Sequence, residues 1–94
     1  MGEEDRSDYA RIYVGNIPYN IKEEKMYEVL GKFGEVVDVI IPRWSGGARD
    51  GQSKGFCFVE FEKRISANNA LNSTRPVVIE GRKLGFRESN KLVN

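Results

Sequence analysis

The feature that most constrains this chain is the stretch KGFCFVEF at positions 54–61. Successive side chains of a β-strand point to opposite faces of a sheet, so alternate residues form two sets. The set made of Cys57, Val59 and Phe61 is wholly apolar, and it predicts a side that faces the core. The other set holds Phe56 and Phe58 together with a lysine and a glutamate, so it predicts a side that water reaches. Two neighbouring aromatic rings on such a side indicate a binding surface.

The rest of the chain predicts three further strands and two helices. β-Branched, aromatic and apolar residues mark the strands. They are predicted at Arg11–Gly15, at 36–41, at 54–62, and, after a hairpin turn at Gly81, through Leu84 and Phe86. The resulting order is β-α-β-β-α-β.

Apolar residues at helical spacing predict the two helices. In the first they are Met26, Val29, Leu30 and Phe33, and in the second Ile65, Ala67, Ala70 and Leu71. Asn20 followed by Glu23 is typical of a helix N-cap with its capping-box partner. Gly34 is predicted to end the first helix.

This order predicts an α+β fold of the ferredoxin-like split-βαβ type, with a four-stranded antiparallel sheet and two helices on one face. The opposite side of the sheet, here called the open face, is left uncovered. Its predicted members are Arg11, Tyr13, Lys54, Phe56, Phe58, Lys83, Gly85 and Arg87. We predict one domain over residues 9–89, a flexible acidic tail at 1–8 and a second tail at 90–94.

Composition excludes several classes of site. The 94 residues include one cysteine and no histidine, so neither a disulfide framework nor a Cys/His zinc site is expected. Glu23 and Glu24 are interpreted as helix-start charges rather than a catalytic pair. We therefore expect no enzymatic activity, no cofactor and no metal.

No signal region or membrane-span run is evident in the sequence. We therefore expect an intracellular protein, nuclear or cytoplasmic, without membrane contact. As an isolated domain it is expected to be monomeric.

The net charge of +1 conceals a more basic domain. Residues 1–8 hold four acidic residues and one arginine, which leaves 14 basic and 10 acidic residues in positions 9–94, a net charge of +4. Many of the basic residues are predicted on or around the open face: Arg11, Arg43, Arg49, Lys54, Lys83 and Arg87. Such a distribution is compatible with nucleic acid as a partner.

Two motifs make the chain resemble the RNA recognition motif family over residues 9–89. The run 12–17, IYVGNI, is similar to the six-residue motif that this family carries on its first strand. KGFCFVEF is similar to the eight-residue motif of the third strand, with Cys57 in place of glycine or alanine. Cysteine is small and apolar enough to fit the core at that position.

The resemblance implies a ligand and a set of roles. The residues that match Tyr13 and Phe58 stack two successive bases in the family, the one that matches Phe56 packs against the sugars, and the one that matches Lys54 contacts phosphate. Single-stranded RNA is the expected partner. At the edge of the sheet, Asn16, Lys83, Arg87 and Ser89 are further candidates for reading base edges.

Some alternatives stay open at this stage. Trp44, next to Arg43 in the loop between the second and third strands, can either fold back on its own domain or add a stacking surface. Residues 89–94 can form a tail or cross the open face. A rival function is binding of a partner protein on the helical side, although the segment 73–77 lacks the phenylalanine after arginine that such relatives use.

Overall fold

The computed structural model describes residues 10–89, and the two predicted tails lie outside this part of the chain. A four-stranded antiparallel sheet carries two helices on one side, which confirms the predicted fold class. The elements are β1 (Arg11–Gly15), α1 (Glu23–Leu30), β2 (Val36–Ile40), β3 (Phe56–Phe61), α2 (Arg64–Leu71), β4 (Val78–Ile79), β5 (Arg82–Lys83) and β6 (Gly85–Glu88). The sheet order is β2-β3-β1-β6. Neither helix within residues 10–89 has the length and hydrophobicity that a membrane span requires.

The register of the sheet separates the two faces as the alternation predicts. Tyr13 of β1 lies opposite Phe58 of β3 on one side and opposite Arg87 of β6 on the other. Their neighbours along β1, Ile12 and Val14, are fully buried beneath the helices. The core-facing residues of β3 are equally buried: Cys57, Val59 and Phe61.

The first helix begins later than predicted. It starts at Glu23, with Lys22 in the N-cap position and no side-chain cap. Residues 18–21 form a separate turn instead, in which the Ile21 amide donates to the Pro18 carbonyl over 3.4 Å. The capping-box prediction for Asn20 is therefore wrong, because Lys22 and not Asn20 precedes the helix, and no side chain caps it.

The C-terminal end of α1 also differs from the prediction. The α-helix ends at Leu30, and a short 3₁₀ turn, Gly31–Phe33, follows it. Gly34 then ends that turn with a φ of +153°. Gly34 also lies against Ser66 of α2, so this glycine fixes the approach of the two helical segments.

The second helix presents small residues to the core. Ser66, Ala67 and Ala70 are buried, and Leu71 packs against the core from its edge. Ile65 was predicted on the same face, but 63% of it is exposed. That prediction is wrong because the helix turns the small residues inward, which allows it to lie close to the sheet.

Two lysines predicted on strands of the main sheet lie elsewhere. β3 begins at Phe56, and Gly55 precedes it with a φ of +95°, so Lys54 is outside the strand register. Lys83 lies in β5, which pairs only with β4. Buried Leu84 separates β5 from β6, and its amide bonds to the Val77 carbonyl rather than to β1.

Candidate nucleic-acid interface

Three aromatic rings form a continuous cluster on the open face. Tyr13 and Phe56 are stacked, with ring centroids 5.5 Å apart and ring planes 21° from parallel. Phe58 meets each of them edge to face, at 6.0 Å from Tyr13 and 5.8 Å from Phe56. All three rings are only half-buried. Ring faces on this surface are therefore available for stacking with planar groups.

Gly15 determines where the Tyr13 ring lies. A Cβ at this position would be 3.1 Å from Tyr13 Cε1 and 3.3 Å from its hydroxyl oxygen. The ring therefore leans along β1 over the glycine, towards Phe56, which is the register partner of Gly15. A larger residue here would require the ring to shift by a few tenths of an ångström.

The open face is polarised along its strands. At one end Glu60 is opposite both Arg11 and Asp38, and Arg11 approaches the Glu60 carboxylate at 3.8 Å. At the other end Gly15 is opposite both Phe56 and Gly85. Phosphate groups are repelled by the acidic end, so the Gly15 end is the one that suits a polyanion.

Cations accompany the aromatic cluster. The Arg87 guanidinium carbon lies 5.8 Å from the centroid of the Tyr13 ring. Gly85, two residues earlier on β6, is exposed, and open space surrounds the position that a Cβ would take. A ligand can therefore approach the backbone of β6 closely at Gly85. The neighbouring Tyr13 ring has the positive charge of Arg87 beside it.

The Trp44 ring lies beside two cations. Its ring has the Lys54 ammonium nitrogen 4.8 Å from the centroid and the Arg49 guanidinium carbon 5.6 Å away. The residue folds back onto its own loop through two backbone hydrogen bonds of 2.9 Å, with Gln52 and Gly51. It nevertheless remains 39% exposed.

Arg43, by contrast, turns towards the helical side. Its guanidinium donates to the Ile21 carbonyl over 2.8 Å and to the Gly51 carbonyl over 3.0 Å, and it lies 3.4 Å from the Glu23 carboxylate. These contacts tie the loop between β2 and β3 to the start of α1. The geometry gives Arg43 a structural role rather than a place on the open face.

Asn16 is also engaged within the protein. Its side-chain amide donates to the Lys83 carbonyl over 2.9 Å, and its side-chain oxygen accepts from Arg82 over 3.0 Å. Its φ of +64° lies in the left-handed region, which asparagine tolerates better than most residues. The side chain therefore holds the β5 segment against the end of β1.

One candidate was missed by the sequence analysis. Ile40 of β2 lies opposite Phe58 and is 45% exposed, so the open face extends onto β2 as an apolar surface. Its neighbours Val39 and Ile41 are buried. Alternation along β2 could have indicated that Ile40 faces the open side. The register shift between Val36 and Asp38 interrupts this alternation, and a sequence pattern does not reveal the shift.

Cys57 belongs to the core and not to the site. Burial, together with a smaller effect of the Glu23 carboxylate, raises the pKa of its thiol from 9.0 to about 12. The thiol is consequently protonated and unreactive at neutral pH.

The fold and this surface define a module that presents aromatic rings and cations on an uncovered antiparallel sheet. The family model of the RNA recognition motif matches residues 12–85, and the chain belongs to that family. It is thus an RNA-binding module. The rival, a domain that binds protein instead of RNA, is not favoured by these comparisons.

Relatives share this module and not their whole length. The chain is 36% identical over 81 residues to RNA binding protein fox-1 homolog 1 of Homo sapiens, which covers 86% of this chain and 19% of the relative. It is 35% identical over 83 residues to serine/arginine-rich splicing factor SC35 of Arabidopsis thaliana, covering 88% of this chain and 26% of that protein.

Solved structures agree on the fold. The RNA recognition motif of Rna15 with bound RNA (GU) has a TM-score of 0.73 and 26% identity, and the match covers 87% of this chain and 84% of that one. The penultimate RNA recognition motif of RBM19 has a TM-score of 0.76 and 27% identity, with 89% and 86% covered.

Proposed function

We propose that this domain binds single-stranded RNA across its open face and contributes to RNA processing or its regulation. Bases stack on Tyr13 and Phe58, and the ring of Phe56 packs against the sugars between them. About two or three bases lie on a sheet of this kind. A duplex does not offer unstacked bases to such a surface, which is why the proposed ligand is single-stranded.

The three-ring cluster is the observation that supports this proposal most strongly. Tyr13 on β1 contacts both Phe58, directly opposite it on β3, and Phe56, two residues earlier on β3, so successive bases find adjacent platforms. Each base–aromatic contact of this kind contributes about 1–3 kcal/mol. The cluster can therefore provide affinity without reading a particular sequence.

The cations divide into two groups in this proposal. Lys54, Lys83 and Arg87 are exposed, and in this proposal they contact phosphates or base edges. Trp44 adds a flanking stacking surface that Lys54 and Arg49 make positive. Arg11, Arg43 and Asn16 are bound to groups of the protein, so they support the surface and contact RNA less directly.

Fluorescence anisotropy with a labelled, randomised single-stranded RNA pool tests the proposal. We expect the Tyr13→Ala/Phe58→Ala variant to bind roughly 30-fold more weakly than the wild type, since two stacking platforms are lost. Tyr27→Ala is the matched control, because Tyr27 is an exposed tyrosine on α1, on the other side of the sheet. A folded double variant that binds as well as the wild type would refute the proposal.

The relatives support the wider setting of the proposal. A splicing factor among them is consistent with a role in RNA processing inside the cell. The family and its relatives also support a binding module rather than an enzyme. Protein contacts through the helical side can coexist with RNA on the open face.

A further inference from the structure

The segment between β2 and β3, residues 42–54 and here called the β2–β3 arm, is built as a narrow hairpin. Arg43 and Ser53 form an antiparallel bridge at its base. The Trp44 amide then donates to the Gln52 carbonyl over 2.9 Å. These bonds give the arm a defined backbone in which Trp44 has a fixed place.

The far part of the arm does not fix its own position on the domain. Gly46, Gly47 and Gly51 have φ values of +82°, +75° and +83°, and open space surrounds the position that a Cβ would take at each of them. Glycines lose more conformational freedom on ordering than any other residue. The position of the arm must therefore come from the contacts that its base makes with the rest of the domain.

Ser53 and Arg43 both tie the base of the arm to the segment before α1. The Ser53 amide donates to the Tyr19 carbonyl over 2.7 Å, and the Ser53 hydroxyl donates to the Pro18 carbonyl over 3.0 Å. On the opposite side of the hairpin, the Arg43 guanidinium donates to the Ile21 carbonyl over 2.8 Å. Each side of the hairpin is thus attached to the same segment.

Arg43 also holds the two sides of the hairpin to each other. One guanidinium nitrogen donates to the Gly51 carbonyl over 3.0 Å, while the other serves Ile21 and lies 3.4 Å from the Glu23 carboxylate. A planar guanidinium with a fixed fork of donors meets these acceptors in different directions at once. The compact ammonium of a lysine would keep the charge but would not reproduce this geometry.

The direction of Arg43 determines where the ring of Trp44 lies. The two residues are consecutive in a bridged, extended segment, so their side chains point to opposite sides. Because Arg43 points towards α1, Trp44 lies on the other side of the arm, where the Lys54 ammonium is 4.8 Å and the Arg49 guanidinium carbon 5.6 Å from its ring centroid. The anchor and the exposed ring are therefore coupled through the backbone.

We propose that Arg43 is a positioning residue for RNA binding. It holds the β2–β3 arm so that Trp44 and Lys54 meet the strand that occupies the open face, and it does so without touching the RNA. An arm that is in place before the ligand arrives lowers the entropic cost of binding. The inference rests on the proposed RNA binding, and it goes beyond that proposal by assigning part of the affinity to a residue outside the interface.

Fluorescence anisotropy with a fluorescein-labelled, randomised single-stranded RNA pool of eight nucleotides tests the inference. We expect Arg43→Lys to bind about five-fold more weakly than the wild type, because the arm no longer holds one stacking surface in place. Arg75→Lys is the matched control, since it makes the same exchange at an exposed arginine between α2 and β4. It should bind the pool as the wild type does.

A double-mutant cycle distinguishes positioning from direct contact. In a Trp44→Ala/Lys54→Gln background the groups that Arg43 positions are absent, so Arg43→Lys should change the affinity by less than about two-fold. Trp44 is the single tryptophan of the sequence, and its fluorescence therefore reports on the arm alone. Acrylamide should quench Trp44 more strongly in folded Arg43→Lys than in the wild type or in Arg75→Lys.

The outcomes separate this inference from the function beneath it. A folded wild type that does not bind the pool would refute the RNA function itself. A wild type that binds, with an Arg43→Lys variant that matches it in affinity and in quenching, would refute the positioning role alone. An equal loss of affinity in both backgrounds would also refute that role, because Arg43 would then act on the RNA without Trp44 and Lys54.

Discussion

At the scale of single residues, Gly34 is under two constraints at once. Its φ of +153° is one that residues with a side chain rarely adopt, and a Cβ built there would overlap Ser66 of α2. Ser66 is itself buried, so it has little room to move away. The packing of α2 on the turn after α1 therefore depends on a hydrogen atom at this position.

We expect Gly34→Ala to lower the free energy of unfolding by about 2–4 kcal/mol, because it combines backbone strain with overpacking. Gly31→Ala is the matched control. Gly31 has a φ of −61° and nothing near its hypothetical Cβ, so alanine there should be neutral or stabilise by up to about 1 kcal/mol. Urea unfolding of the two variants measures the difference, and equal midpoints would contradict the close contact with Ser66.

The thiol of Cys57 gives a second test at this scale. Because burial raises its pKa to about 12, almost no thiolate exists in the folded protein at pH 8. We expect a disulfide reagent to label the native protein only as fast as it opens, and to label the urea-unfolded protein at the rate of a free thiol. Native labelling at the unfolded rate would show that the thiol is accessible.

The raised pKa of Cys57 also determines how this group changes the stability of the fold with pH. Below pH 9 the thiol is protonated in both the folded and the unfolded chain, so it contributes no pH dependence. Between pH 9 and about 12 the unfolded thiol ionises while the folded one stays protonated, so this group makes the fold less stable as pH rises. Cys57→Ala should remove that component of the alkaline loss.

At the scale of an element, β3 carries two kinds of phenylalanine that differ only in which side of the strand they occupy. Phe61 is 1% exposed and packs into the core, whereas Phe58 is half-buried among the rings of the open face. Phe61→Ala should lower the free energy of unfolding by about 3–5 kcal/mol. Phe58→Ala should lower it by no more than about 1 kcal/mol, since its losses are edge-to-face contacts with Tyr13 and Phe56.

Thermal or urea unfolding compares the two variants directly and should show the larger loss of stability for Phe61→Ala. RNA binding should show the larger loss of affinity for Phe58→Ala. The Phe58→Ala variant should be well folded and bind RNA weakly. If the two variants lost similar stability, the assignment of β3 to a covered and an uncovered side would be wrong. The strand thus separates folding from function at alternate positions.

At the scale of the whole molecule, the sequence predicted the topology and the aromatic cluster, because both follow from period-two alternation and residue type. The sequence did not predict the position of a side chain where a single backbone angle or a partner distant in sequence determines that position. The positive φ of Gly55 takes Lys54 out of β3, and only the fold reveals that Arg43 bonds to Ile21. The left-handed Asn16 and its bonds to Arg82 are equally invisible in a linear pattern.

The position of charge, rather than its total, should control how salt affects RNA binding. Lys54 lies over the ring of Trp44, while Lys25 lies on α1 near Glu28, on the other side of the sheet. Lys54→Gln and Lys25→Gln each remove one positive charge from the same domain. Only the first should reduce the slope of log affinity against log salt concentration, by about 0.7 for one lost phosphate contact on a single strand.

Anisotropy titrations at several salt concentrations measure these slopes. If both variants lowered the slope equally, the overall charge of the domain would be acting on the RNA without a defined phosphate contact. If neither did, the lysine over Trp44 would have no phosphate partner, and stacking would dominate the affinity. A change confined to Lys54→Gln would show that the position of one cation beside Trp44, and not the modest net charge of +1, provides the phosphate contact.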